Sequence, residues 1–350
     1  MAQPPEVLHG SLHPPKPRIL SVDVFRGGTI VAMVFVNFIS NYYATPDWSR
    51  HAPDIGLTYV DLVAPFFIFA IALTYPMNFH RGQVKGGGVA NFMQFIKRYC
   101  ALIGLGFLLS MKDMTATGFT FQWDVLQQIG IAGLFTLIFI WIPRWPRLMV
   151  AAGLLVVYQV ALGISLDVGG TPMLITTLNF NTPQGGVIGG LGWGLILLLG
   201  TIAGESLENG KSREFLILGA IYLAAGISIQ VVAMQFPASS VEYLLLGISK
   251  RRISPAFILV SAGVASLIFY LAWYFYDKQK ITKGRSIFLQ PQGKNSLFLY
   301  IIQDSVRWPL LKIFSNTVDF WLVLVASSLL IAMMWLIAWL LDRKKIYLVL

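Results

Sequence analysis

Three side chains early in the chain have types suited to acyl or proton chemistry. His51 is the side chain best able to take and pass a proton or an acyl group near neutral pH. It is followed by GLTYVDLVAPFFIF (Gly56 to Phe69), an apolar run that carries Asp61, and the apolar stretch before it carries Asn37. An acid or an amide inside a lipid-spanning helix is costly and must find partners within the bundle. For Asn37 the plain alternative is hydrogen-bonded glue between helices. A histidine leaving a hydrophobic helix, with polar groups in both flanking helices, points to chemistry at a membrane face.

Other charged groups lie in apolar surroundings. Asp304 and Arg307 are one helical turn apart, which fits either an i, i+3 ion pair or a ligand site. Asp124 opens an apolar run, where a carboxylate favours a helix N-terminus. Lys97 and Arg98 lie near the start of another run and either snorkel to lipid headgroups or bind a phosphate. Asp23 and Arg26, three apart in SVDVFRGG, read as a local salt bridge before the first helix or as a contact for an anionic ligand. His9, His13 and His80 carry no metal or catalytic spacing, and neither HExxH, a Walker loop nor a strand-borne GxGxxG occurs. No metal is expected.

These residues need a membrane bundle to position them. Of 350 residues, 56% are hydrophobic and 12% charged, against roughly 25% charged in soluble domains. Mean hydropathy is +0.69. The net charge of +10 is dispersed over loops, which fits membrane topology and argues against nucleic acid as a partner. The lone cysteine, Cys100, excludes an internal disulfide and reads as a packed small residue. No cleavable signal is apparent, and Pro-rich residues 1–17 read as a disordered cytoplasmic tail before a single domain over 18–350.

Apolar runs of roughly 20 residues predict an all-α bundle of about ten transmembrane helices. The spans are 27–44, 57–78, 92–111, 123–142, 147–165, 187–205, 214–235, 255–276, 294–315 and 319–341. With both termini cytoplasmic, all of the 26 basic residues except Arg50, Lys112, Lys250, Arg251, Arg252, Arg307 and Lys312 fall on the cytoplasmic side. The cluster Lys250-Arg251-Arg252 breaks the rule and calls for a misplaced helix or a functional role. His51 then lies on the outer side, with segment 166–186, which has no basic residue and no helical period. Its length and apolar residues predict a packed cap over a site. GGLGWG (Gly189 to Gly194) predicts close helix packing.

The order and spacing of several motifs resemble the heparan-α-glucosaminide N-acetyltransferase family, including smaller bacterial relatives. They are SVDVFRGGTIVAMVFVNF, HAPDIGLTYVDLVAPFFIF, DVLQQIG, the Pro-Gln-Gly stretch after Phe180, SKRRISPAFIL, GKNSLFLY and the terminal RKKIY, and together they cover nearly all of 18–350. The chain departs from the family pattern at Asp54 and Ile55, at Ala64 before Pro65, at Gln128, and in the long loop, where the family's acidic DPEG reads as Asn181, Pro183, Gln184 and Gly185.

The resemblance implies a transmembrane acetyltransferase that takes acetyl from cytosolic acetyl-CoA to an amino sugar, of glucosamine type, on the opposite side. The implied catalytic residues are His51, Asn37 and Asp61. In that frame His51 acts as base or nucleophile, Asn37 donates to an oxyanion and Asp61 orients the imidazole. Arg26, Lys97, Arg98, Asn295 and Ser296 are the expected acetyl-CoA contacts, and Asp54, Asn181, Gln184, Asp304 and Arg307 the expected acceptor contacts. The expected partners are acetyl-CoA, a sugar or other small amine and membrane lipid, and a homodimer is compatible with the family. The expected location is a bacterial cytoplasmic membrane, with His51 facing the periplasm. Two alternatives stay open: a proton-coupled transporter with Asp61, Asp304 and His51 as relay, and transfer of another acyl group or to a hydroxyl acceptor.

Overall fold

The structure, a computed structural model, describes residues 18–110, 123–235, 246–282 and 288–348. The expected tail 1–17, with His9 and His13, and also Lys112, Lys283 and Arg285, lie outside the described residues.

In chain order the first helices are α1 (Leu20–Ile39), α2 (Tyr59–Gly86), α3 (Gly88–Ser110), α4 (Val125–Phe139) and α5 (Arg144–Leu162). A hairpin of β1 (Ser165–Val168) and β2 (Thr171–Leu174) follows, then the short α6 (Ile175–Asn181). The chain continues through α7 (Gly186–Glu208), α8 (Glu214–Gln235) and α9 (Pro255–Trp273) to the short α10 (Leu289–Lys294), α11 (Ser296–Ile313) and α12 (Phe320–Arg343). The ten long helices match the ten apolar runs, with shifted ends. Among the starts the largest shift is in α1, which begins at Leu20, so Asp23 and Arg26 lie inside the helix and not before it. Apolar Val22, Val24 and Phe25 surround them and are buried, which extends the helix past its first charges.

Eight of the ten, all but α4 and α11, are long and apolar enough to cross a membrane. The protein is thus an all-α, multi-pass membrane protein. The 15 residues of α4 reach only about 22 Å at 1.5 Å per residue, short of the roughly 30 Å hydrocarbon layer. α11 carries Asp304, Arg307 and Lys312.

Segment 166–186, read as having no helical period, holds most of the β-hairpin and also the short helix α6. Its strands pair Ser165 with Leu174 and Val168 with Thr171. The turn residues Gly169 and Gly170 have φ of 62° and 81°, a left-handed pair that glycine adopts without steric cost. Four-residue strands were too short to show a period in the sequence.

α7 is buried along most of its length, between α2, α4 and α5. The glycine run packs as expected: Gly190 faces Ile131 and Gly194 faces Phe135, both on α4. Cys100 is exposed on α3 and is not packed inside. Near the C-terminal end of α7, Arg147 pairs with Glu205 and Arg144 with Glu214. These pairs leave the two arginines structural, since a buried charge is retained only when partnered.

α1 and α10 touch backbone to backbone. A Cβ on Gly27 would stand 2.0 Å from the Leu289 carbonyl oxygen, and one on Gly293 would stand 1.8 Å from that of Asp23. Backbone cannot rotate away as a side chain can. Gly27→Ala is therefore expected to destabilise the fold by about 1–3 kcal/mol, read as a lowered Tm in detergent. An unchanged Tm would contradict this close approach.

Candidate functional site

The loop between α1 and α2 is tied down from both ends. Arg50 gathers the carbonyls of Thr45 at 2.8 Å, Tyr43 at 2.9 Å and Tyr42 at 3.1 Å. Thr58 caps α2 and donates through Oγ1 to the Arg50 carbonyl at 2.7 Å. Asp61 completes this capping box from the first turn of α2, where the helix N-terminus favours its negative charge.

Asp61 is fully buried, and each of its oxygens has a task. Oδ2 accepts from the amides of Thr58 at 3.0 Å and Ala52 at 3.2 Å, and lies 3.1 Å from Thr58 Oγ1. Oδ1 accepts from His51 Nδ1 at 2.7 Å. A carboxylate that only accepts places the imidazole proton on Nδ1 and leaves Nε2 as a base. The His51 side chain is half-exposed and lines a cavity of about 480 Å³.

A second staple joins this loop to residues 246–254. Asp54 Oδ2 pairs with Arg252 at 2.8 Å, and Asp54 Oδ1 accepts from Ser249 Oγ at 2.8 Å. Gly56, at φ 137°, donates to the Ile248 carbonyl at 2.8 Å, and Ile55 bridges to Ser249. Arg251 and Arg252 both lie over the Phe180 ring. The basic cluster 250–252 is thereby divided: Arg252 holds the loop, while Lys250 turns into the His51 cavity. Burial draws the Lys250 amine below the ordinary lysine range, against the opposing pull of the Asp61 and Asp124 carboxylates.

Asn37 lines the same cavity and donates to Gln303 Oε1 at 3.4 Å. Arg307 pairs with Asp304 at 2.8 Å and donates to the Asn37 carbonyl at 2.7 Å. Asp124 caps α4 by accepting from Val125 N at 2.7 Å, and also accepts from the Tyr300 hydroxyl at 3.3 Å. Asp124 is thus the helix cap expected of it, and it also lines the cavity. Gln184, at φ 54°, lines the cavity, and its carbonyl accepts from Gln128 at 2.9 Å and Trp193 at 3.0 Å. Gln128 and Trp193 fix Gln184 beside the site, but the hairpin of segment 166–186 is largely exposed, so only Pro183 and Gln184 of the expected cap line the cavity.

A second cavity, about 330 Å³, opens around the start of α1 and the end of α2. Arg18, Arg26, Arg81, Arg98 and Lys294 line it, with Asp23 and Ser296. Arg98 Nε and both amide atoms of Asn295 are buried with no hydrogen-bond partner among the described residues. Lys294 is paired with Asp342 at 3.0 Å.

The structure therefore brings His51, Asn37, Asp304, Arg307 and Gln184 together around one cavity, with Asp61 behind His51. It brings Arg26, Arg98 and Ser296 together around the other, with Asn295 adjoining. Lys97 is exposed outside the second cavity, Asn181 is exposed at the end of α6, and Asp54 is engaged in the loop staple. Sequence reasoning did not assign Lys250, Tyr300 or Gln303 to the first cavity, nor Arg18, Arg81 or Lys294 to the second. Tyr300, Gln303, Asp304 and Arg307 form a polar stripe at i, i+3, i+4 and i+7, a helical-face signal that would have found the first two. Among the described residues no group of three His, Cys, Asp or Glu side chains is placed to hold a metal.

Fold and site together define a multi-pass helical membrane protein with a histidine–carboxylate pair facing a polar cavity and a basic cavity stacked behind it. Residues 18–232 match the family model described as heparan-alpha-glucosaminide N-acetyltransferase, catalytic, and the chain belongs to that family. It is also similar to heparan-alpha-glucosaminide N-acetyltransferase of Homo sapiens, with 47% identity over 53 residues. That stretch is 15% of this chain and 8% of the human protein's length.

Proposed function

We propose that this protein is a transmembrane acetyltransferase, taking acetyl from acetyl-CoA bound at the basic cavity to the amine of an amino sugar held beside His51. The observation that carries the reading is the pairing of His51 Nδ1 with buried Asp61 at 2.7 Å, which leaves Nε2 directed to the cavity. The basic cavity suits the donor: Arg18, Arg26, Arg81 and Arg98 offer guanidinium donors for phosphates, and Arg98 Nε has no protein partner among the described residues.

In the reaction, His51 Nε2 removes a proton from the acceptor nitrogen as that nitrogen attacks the thioester carbonyl. The C–N bond forms, and charge develops on the carbonyl oxygen. The second N–H of the Asn37 amide is available to donate to it. The intermediate collapses with cleavage of the C–S bond, and the imidazolium returns its proton to the departing thiolate. Asp61 stabilises that imidazolium without itself being protonated.

The test uses purified full-length protein with acetyl-labelled acetyl-CoA, with and without glucosamine. Acceptor-dependent movement of label into N-acetylglucosamine is expected. No transfer across a panel of amines and alcohols would overturn the reading.

The basic end faces the cytoplasm of a bacterial cell in this proposal, and the His51 end faces the periplasm. In a Cys100→Ser background, Asp47→Cys should react with an impermeant thiol reagent only from outside, and Lys344→Cys only from within. Reversed labelling would overturn the orientation.

A further inference from the structure

The two cavities meet at one side chain. Phe67 lines both, and no other described residue does. Two neighbouring helices step across the same level: on α4 Leu126 faces the basic cavity and Val125 the His51 cavity, and on α11 the corresponding residues are Leu297 and Tyr300. The Phe67 ring lies 6.4 Å from the Tyr300 ring, centroid to centroid, with the planes inclined at 39°. That is within contact range for aromatic pairs. Both residues are nearly buried, at 6% and 7% exposure. Tyr300 is anchored by its hydroxyl to Asp124, whereas a phenylalanine has no polar tether and can rotate. Along α1, Arg26 and Asn37 are eleven residues apart, so about 16 Å of helix separates the charged end of one cavity from the polar end of the other.

We infer that the Phe67–Tyr300 ring pair is the septum through which the acyl thioester reaches His51, and that it limits the transferred acyl group to a short one. The inference rests on the acetyl-transfer reading for its chemistry, but the barrier itself is a property of the packing. Closely packed interiors do not yield a methylene of extra room without displacing a neighbour. Each added acyl carbon must fit past two rings, one of which is fixed. Discrimination of roughly 10–200-fold per methylene is the usual reach of such a wall. With Phe67 in place the septum also keeps acceptor-side water away from the waiting thioester.

Two measurements on the full-length protein in lipid test this. In the first, glucosamine is the acceptor and acetyl-, propionyl- and butyryl-CoA are the donors. The native protein should lose rate steeply with each carbon. Phe67→Ala should flatten that series and raise acceptor-independent acetyl-CoA hydrolysis, and Phe67→Trp should slow acetyl transfer at least about tenfold without weakening acetyl-CoA binding measured calorimetrically. Phe67→Leu controls for folding. A chain-length profile unchanged in both the alanine and tryptophan variants would overturn the inference. The second measurement needs no catalysis. In sealed vesicles of a Cys100→Ser, Asn37→Cys protein, an impermeant thiol reagent is supplied only on the Arg26 face. Labelling should appear when Phe67 is alanine and not when it is native. Labelling with Phe67 intact overturns the septum, and a protein that blocks labelling but transfers no acyl group sinks the acetyltransferase reading alone.

Discussion

Replacing His51 by alanine is expected to lower acetyl transfer by about 10²–10⁴-fold, the usual contribution of a positioned general base. The position of the imidazole sets this effect. Its Nδ1 is spent on Asp61 at 2.7 Å, so Nε2 is the atom left to accept a proton from the acceptor. The side chain is half-exposed to the cavity, and its removal leaves no void in the core. The variant should keep its Tm and its affinity for acetyl-CoA, since the basic cavity lies beyond Phe67. Initial rates of label transfer, with binding measured in parallel, check this. A His51→Ala protein as active as the native one would remove His51 from the reaction.

Asp61→Asn is expected to cost on the order of 10⁴-fold in kcat, the effect of the equivalent change in a serine-protease triad. The carboxylate accepts two backbone amides on Oδ2 and the imidazole on Oδ1. A carboxamide has one oxygen, and Thr58 and Ala52 claim it. Its NH₂ then faces His51 and turns Nδ1 from donor into acceptor. The imidazole proton moves to Nε2, and the base is lost. Because the polar contacts around Thr58 survive, the fold is retained, and KM for acetyl-CoA should change little. A fall in kcat without a comparable rise in KM separates this tautomer effect from a collapsed loop. A large loss of Tm with no kinetic change in the folded fraction would make Asp61 a structural cap only.

Helix positions were legible because lipid demands long apolar runs, and every run in this chain became a helix. The boundary of α1 was not, because Asp23 and Arg26 interrupt the pattern while the helix needs only the apolar residues around them. His51 and Asp61, ten residues apart, could be paired by reading a single motif. Tyr300 and Gln303 could have been joined to Asp304 and Arg307 by their shared helix face, but Lys250 reaches the cavity from a loop, and no local pattern states which segments will be neighbours. Asp54 shows the limit most clearly. Under the resemblance it was an expected acceptor contact, but Arg252, 198 residues later, holds it in the staple.

α11 has a further consequence, for biogenesis. Asp304, Arg307 and Lys312 are carried by its 18 residues, and each charge near the middle of a membrane helix costs about 2.5–3.5 kcal/mol on insertion. The Asp304–Arg307 pair lowers that cost, yet α11 is still a poor candidate to enter lipid alone. α12, 24 residues and strongly apolar, packs against it and leaves the ribosome directly afterwards. Insertion of α11 is thus expected to wait for α12, with α1 already in place to receive it. The helix bearing Tyr300, Gln303, Asp304 and Arg307 then enters together with α12, so the cavity facing His51 is walled in only after α1 to α9 are in place.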